Sequence, residues 1–291
     1  MLKINLETSN NIFYFQLKKI KENSLLFIFL LLIAISILFI GIKHDHLKQS
    51  IVYLFAMWLF SLIIDLYIKT KEFSDYLTVK NPSRELIYFF ICFCLGTLFL
   101  ILRFSGIVDW QTLNPLVRLA IIPLICFTFP IALAIILLCL KYRPKELGLK
   151  WQGVLLVIPL ILISFLINQF IFPNSLTLDL VLKESGGFLP MLFSGFVVAG
   201  LSEEFFRVIG QTRMAAVFKN AGWGWLLTTT LWAFMHAPKW YSDDHDLMEA
   251  IIGSVRIIPL GLMWGYLTYR TKSIWPSIII HGTNYWGLQN F

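Results

Sequence analysis

Nine apolar runs divide the chain, at about residues 24–42, 51–68, 86–104, 117–140, 153–172, 188–212, 223–238, 250–269 and 274–288. Polar or charged residues bound each one. The runs are continuous rather than alternating with period two, which argues for helices and against the strands of a β-barrel. A helix crosses the bilayer with about 20 apolar residues. Inside lipid a helix also pairs all of its own backbone groups. The pattern therefore predicts an all-α fold, a polytopic transmembrane helical bundle of about eight to nine spans. The last run is short enough to be a partial span. The first run, Ser24 to Ile42, carries no charge and follows Lys18, Lys19 and Lys21. Its length suits a retained span better than a cleaved signal peptide.

Composition supports this reading. Apolar residues make up 58% of the 291 residues and charged residues 14%, against about 25% charged in an ordinary soluble domain. The formal net charge is +7, but the basic residues cluster in alternate connections. These are 1–23, the stretch after span two (Lys69, Lys71, Lys80, Arg84), that after span four (Lys141, Arg143, Lys145, Lys150), and the ends of spans six and eight (Arg213, Lys219, Arg270, Lys272). This is topology information. It places the N-terminus in the cytoplasm and gives no reason to expect a nucleic-acid partner. The Ile-, Lys- and Phe-rich composition points to a bacterial cytoplasmic membrane. Cys92, Cys94, Cys126 and Cys139 lie in apolar runs without CxxC spacing and read as small buried apolar residues. Asp65, near the end of span two, reads as half of a boundary ion pair with Lys69 at i+4.

Ionisable groups inside spans default to functional candidates, and they concentrate in residues 188–291. In Ser202-Glu203-Glu204-Phe205-Phe206-Arg207, the arginine is i+4 from Glu203 and i+3 from Glu204. It can neutralise one carboxylate and leave the other to act as a base. His236 follows Trp232 by four residues near the end of span seven. In the last run, His281, Asn284 and Tyr285 share a helix face.

Taken in order, these three elements resemble the CPBP family (CAAX-processing and bacteriocin-processing, or Abi) of intramembrane endopeptidases. That family reads two glutamates with an arginine, then an aromatic and a histidine four apart, then a histidine with an asparagine. The matching residues are Glu203, Glu204 and Arg207; Trp232 and His236; His281 and Asn284. Ser273-Ile274-Trp275-Pro276 is similar to the family's approach to its last histidine, and Glu146-Leu147-Gly148-Leu149 to a common entry into its core. The resemblance covers residues 145–291, leaving 1–144 as N-terminal transmembrane helices of unassigned role. The spacing departs from the family's in two places. Arg207 closes EExxR where EExxxR is usual, a rotation of about 100° on a helix. Asn284 comes three residues after His281 rather than four.

The resemblance implies hydrolysis of a peptide bond in a membrane-anchored or lipidated substrate. Glu203, or alternatively Glu204, would activate water. His236 and His281 would orient the water or stabilise charge, Asn284 would serve the oxyanion, and Arg207 would hold the glutamate pair. Gly195, Gly200 and Ser194 would allow close helix approach. No cofactor is favoured, although Glu203, His236 and His281 are also the donor types of a catalytic zinc site. An alternative is a non-catalytic membrane protein, such as a bacteriocin self-immunity factor or a scaffold. A transporter is disfavoured by the absence of a paired inverted repeat.

Overall fold

The computed structural model describes residues 23–68, 77–105, 128–171, 178–284 and 288. Helices α1 (Ser24–Lys43), α2 (Leu47–Tyr67) and α3 (Pro82–Phe104) come first, followed by α4 (Thr128–Cys139) and α5 (Val157–Ile171). After the short α6 (Leu178–Glu184) and α7 (Phe188–Leu192), a π-helical stretch, Phe193–Glu203, runs directly into α8 (Glu204–Phe218). The chain finishes with α9 (Ala221–Phe234), α10 (Ala237–Asp244), α11 (Leu247–Thr271) and α12 (Trp275–Gly282).

Each described run contains helix. Five helical segments, Ser24–Lys43, Leu47–Tyr67, Pro82–Phe104, Val154–Ile171 and Leu247–Thr271, are long and apolar enough to cross a membrane. They expose large apolar side chains, for example Leu32, Ile51, Ile91, Leu162 and Met248, as a surface in hydrocarbon would. The protein is an integral membrane protein. Among the described residues, α4, α9 and α12 are shorter than about 20 residues, whereas α7, the π-helical stretch and α8 follow one another without a break from Phe188 to Phe218.

Helix starts follow local sequence. The Asn220 side chain accepts from the backbone N–H groups of Gly222 and Trp223, and that of Asp246 from Met248. Pro82, Pro238 and Pro276 sit in first turns, where a missing N–H costs nothing.

Buried polar contacts bolt the N-terminal helices to the rest. Pro259 lies inside α11, where proline disrupts the backbone ladder. The Tyr53 hydroxyl of α2 inserts there, donating to the Arg256 carbonyl (3.0 Å) and accepting from Leu260 N–H (3.2 Å). These two groups would otherwise pair within the helix. Asp65 of α2 meets Arg270 Nε at 2.8 Å and accepts from the Tyr266 hydroxyl at 2.6 Å. Its expected partner Lys69 lies outside the described residues.

On α3, Glu85 is completely buried and paired with Arg213 Nε at 3.0 Å. It also accepts from Asn81 N–H and from the Tyr142 hydroxyl. Burial and that bond to Glu85 push the Tyr142 phenol up to about 12, so it remains a donor. Arg213 and Arg270, expected as loop charges, are instead buried in α8 and α11 and ion-paired. A buried arginine that loses its partner is strongly destabilising. We expect Glu85→Ala to lower stability by about 3 kcal/mol, read as a thermal shift in detergent. A combined Glu85→Leu/Arg213→Leu variant should recover most of the loss.

The turn at 144–150 anchors the start of α12. Ile274 N–H donates to the Gly148 carbonyl (2.9 Å), and the Ser273 hydroxyl donates to that of Lys150. Trp151 stacks on Trp275 with centroids 4.7 Å apart. Gly148 has φ +85°, a left-handed conformation suited to glycine. Among the described residues Cys92, Cys94 and Cys139 are free thiols; Cys126 lies outside them.

Candidate active site

The π-helical stretch sets the geometry. Its i→i+5 pairing ends at Glu203, and α-helical pairing resumes at Glu204. Helix α12 lies against it at backbone distance. A Cβ on Gly200 would come within 2.6 Å of the Ile278 carbonyl oxygen. One on Gly282 would come within 2.9 Å of the Gly195 carbonyl oxygen. Small residues are thus what lets His281 of α12 reach the two glutamates.

The glutamates face different surroundings. Glu204 is fully buried. Arg207 donates to it from Nε (3.3 Å) and from Nη2, and His281 Nδ1 stands 3.0 Å from its Oε1. Arg207 Nη1 continues to Gln211 (3.4 Å), whose amide donates to the Gly265 carbonyl (3.2 Å). Gly265 has no room for a methyl group, since a Cβ there would lie 2.5 Å from Arg207 Nη1. Arg207, expected to hold the glutamate pair, holds Glu204 alone among the contacts seen.

Glu203 is 30% exposed at its side chain and opens to a cavity. Trp232 Nε1 donates to its Oε2 at 2.8 Å. His236 Nε2 lies 3.6 Å and His281 Nε2 3.9 Å from the same oxygen. The tautomers follow from the partners. His236 Nδ1 lies 3.0 Å from the Trp232 carbonyl, and a carbonyl only accepts, so Nδ1 carries the proton. The Glu204 carboxylate fixes the Nδ1 proton of His281 in the same way. Both imidazoles therefore aim Nε2 at one carboxylate oxygen. The separations exceed direct hydrogen-bond length and suit a bridging solvent molecule.

Glu203, Glu204, Arg207, His236 and His281 come together. Asn284 lies past the end of α12 and lines a second cavity, of about 410 Å³, with Trp264 and Met263. Tyr285 lies outside the described residues. Sequence reasoning missed Trp264, which is buried and stacks on His281 at 3.9 Å. Its signal was a tryptophan deep within a run rather than in an interfacial belt. It also missed Gln211, an amide one turn after Arg207.

The Glu203 cavity has a volume of about 250 Å³. Ser202, Trp232 and His236 line it beside the glutamate, and α3 and α4 supply the opposite wall. As for a metal, two imidazole nitrogens and a carboxylate are zinc-type donors. Among the described residues, however, no three His, Cys, Asp or Glu side chains form a group that could hold an ion.

No curated protein and no solved structure matches the chain. A family model does, over about a third of it and inside the 145–291 stretch where the three motifs lie. Residues 185–287 match the type II CAAX prenyl endopeptidase Rce1-like family, and that match bears out the resemblance read from the motifs.

Proposed function

We propose that the protein is an intramembrane endopeptidase that cuts a membrane-anchored or lipidated peptide with water activated by Glu203. One observation carries this reading: two imidazole Nε2 atoms and a tryptophan N–H converge on a single oxygen of a cavity-facing carboxylate. The match to a prenyl endopeptidase family supports the same reaction class.

In this mechanism Glu203 and His236 hold a water molecule between them. Glu203 takes its proton as the oxygen attacks the scissile carbonyl carbon. The carbonyl oxygen becomes an oxyanion, and the C–N bond breaks as Glu203 returns the proton to the leaving nitrogen. Glu204 is not the base, because Arg207 and His281 already occupy its oxygens. We assign charge stabilisation at the oxyanion to the protonated form of His281, backed by Glu204 and Arg207. We assign no step to Asn284, which lines the second cavity. No step passes through a metal.

The test is cleavage of a peptide with a prenylated cysteine by the purified protein in phosphatidylcholine vesicles. Wild type should cleave it, and chelators should leave the rate unchanged. His281→Ala should lower kcat by about 10²–10³-fold, as loss of an oxyanion donor does, whereas Asn284→Ala should stay close to wild type. Chelation that stops cleavage, with recovery on added zinc, would replace this mechanism by a metal-dependent one.

A further inference from the structure

The described helices carry unequal charge at their two ends. Lys80, just before α3, donates from Nζ to the Leu140 and Lys141 carbonyls, just past α4. Arg270 Nη2, near the end of α11, donates to the Ile68 carbonyl at the end of α2 (2.8 Å). Asn220, between α8 and α9, donates to Asn23 at the start of α1 (3.2 Å). These contacts and the Glu85–Arg213 pair mark one end of the bundle. Exposed Lys80, Arg84, Lys141, Arg143, Lys145 and Lys219 gather there. At the other end Lys43 pairs with Glu249 (2.8 Å) and Lys239 with Asp243 (3.1 Å). The basic residues there, Lys43, Lys48, Arg103 and Lys239, are matched in number by the acids Asp45, Asp243, Asp246 and Glu249.

The Glu203 cavity belongs to this second end. Arg103 lines it from the last turn of α3, Phe129 from the first turn of α4 and Trp232 from the last turn of α9. Each of these helices has its other terminus at the basic end. Depth agrees with this placement. Helix α8 separates Glu203 from the basic end by 15 residues, about 22 Å along its axis. Even at a tilt of about 40° it rises about 17 Å, against about 15 Å for half of the hydrocarbon core. The interior between Glu203 and the basic end is filled by Arg207, Gln211, Arg213 and Glu85, all buried.

We propose that the basic end faces the cytoplasm and the Glu203 cavity opens on the opposite face, so that the substrate is a peptide anchored in the non-cytoplasmic leaflet, as part of an exported polypeptide would be. The proposal rests on the protease reading above and narrows its substrate class. Lys and Arg in short connections stay on the cytoplasmic side, because carrying positive charge outward works against the membrane potential. A peptide confined to the cytoplasmic leaflet meets the filled end of the bundle. One in the outer leaflet meets the end where Glu203 and His236 line a cavity of about 250 Å³.

The first arm of the test is chemical labelling and needs no activity. The full chain, carrying Cys92→Ala, Cys94→Ala, Cys126→Ala and Cys139→Ala, receives one new cysteine at a time and is placed in right-side-out and inside-out bacterial membrane vesicles. A charged maleimide that does not cross the bilayer should label Lys239→Cys, at the cavity, and Asp243→Cys, one turn beyond it, in right-side-out vesicles alone. Lys145→Cys and Lys219→Cys should be labelled in inside-out vesicles alone. The reverse pattern overturns the proposal, as does labelling of both ends from one side. If Lys239→Cys resists the reagent in both preparations, Asp243→Cys decides.

The second arm uses wild-type protein in the same two kinds of vesicle and a prenylated-cysteine peptide with an added acyl chain. Two chains hold such a peptide in the leaflet it enters. It should be cleaved in right-side-out vesicles, with cleavage lost in inside-out ones. Cleavage in inside-out vesicles alone overturns the proposal, and so does equal cleavage in both. If neither preparation cleaves it, the protease reading fails, and labelling alone decides the face on which the cavity opens.

Discussion

Replacing Glu203 by glutamine should lower kcat for peptide cleavage by about a thousandfold, within the range that general acid–base catalysis supplies, while leaving the protein folded. Glutamine keeps the size of glutamate, and its carbonyl oxygen still accepts from Trp232 Nε1, so the 2.8 Å contact survives. It cannot take a proton from water. Because the side chain is 30% exposed and holds no arginine partner, the substitution should change stability by less than about 1 kcal/mol. The measurement is single-turnover cleavage with a thermal melt on the same preparation. A Glu203→Gln enzyme that cleaves at the wild-type rate would remove the base from the mechanism. Glu204→Gln should behave differently, losing activity and stability together, because it strips a buried arginine of its carboxylate.

The largest structural effect is expected at Arg207. Arg207→Met removes the cation from a fully buried carboxylate, and breaking such a pair from one side costs about 3–5 kcal/mol. The loss also releases Gln211, which Arg207 links to the Gly265 carbonyl of α11, and His281, which Glu204 orients. The melting temperature should fall in detergent, and cleavage should be lost. The double variant Arg207→Met/Glu204→Gln leaves no unpaired charge. It should regain most of the stability without regaining activity, since a neutral amide no longer supports a charged His281. A double variant as unstable as the single would show that the pair contributes through packing rather than charge.

The helices were legible because each apolar run satisfies its own backbone within a short stretch of sequence. The clustering of Glu203, Glu204, Arg207, His236 and His281 was legible because ionisable groups in apolar runs need partners. Which glutamate receives the arginine was not legible. At i+3 and i+4 both are within reach, and the outcome depends on the change from π- to α-helical pairing between them, which leaves no mark in composition. Arg213 and Arg270 were misread for a related reason. A basic residue near the end of a run looks like a loop charge unless its acid is known, and those acids, Glu85 and Asp65, lie on helices far earlier in the chain. The repair of the Pro259 break by Tyr53 is equally a tertiary event, since either residue alone signals only a kink or a buried phenol. The i+3 spacing that pairs Asn284 with His281 assumes a continuous helix, whereas α12 ends at Gly282 and Asn284 lines the second cavity.

The most direct test of the central claim is an experimental structure of the wild-type protein at a resolution that places solvent, with anomalous data at the zinc edge. The account predicts an ordered water at hydrogen-bond distance, about 2.6–3.0 Å, from both Glu203 Oε2 and His236 Nε2, with no anomalous signal. A peak about 2.0–2.2 Å from Glu203, His236 and His281 with a zinc signal, or Glu203 turned away from both histidines, would contradict it.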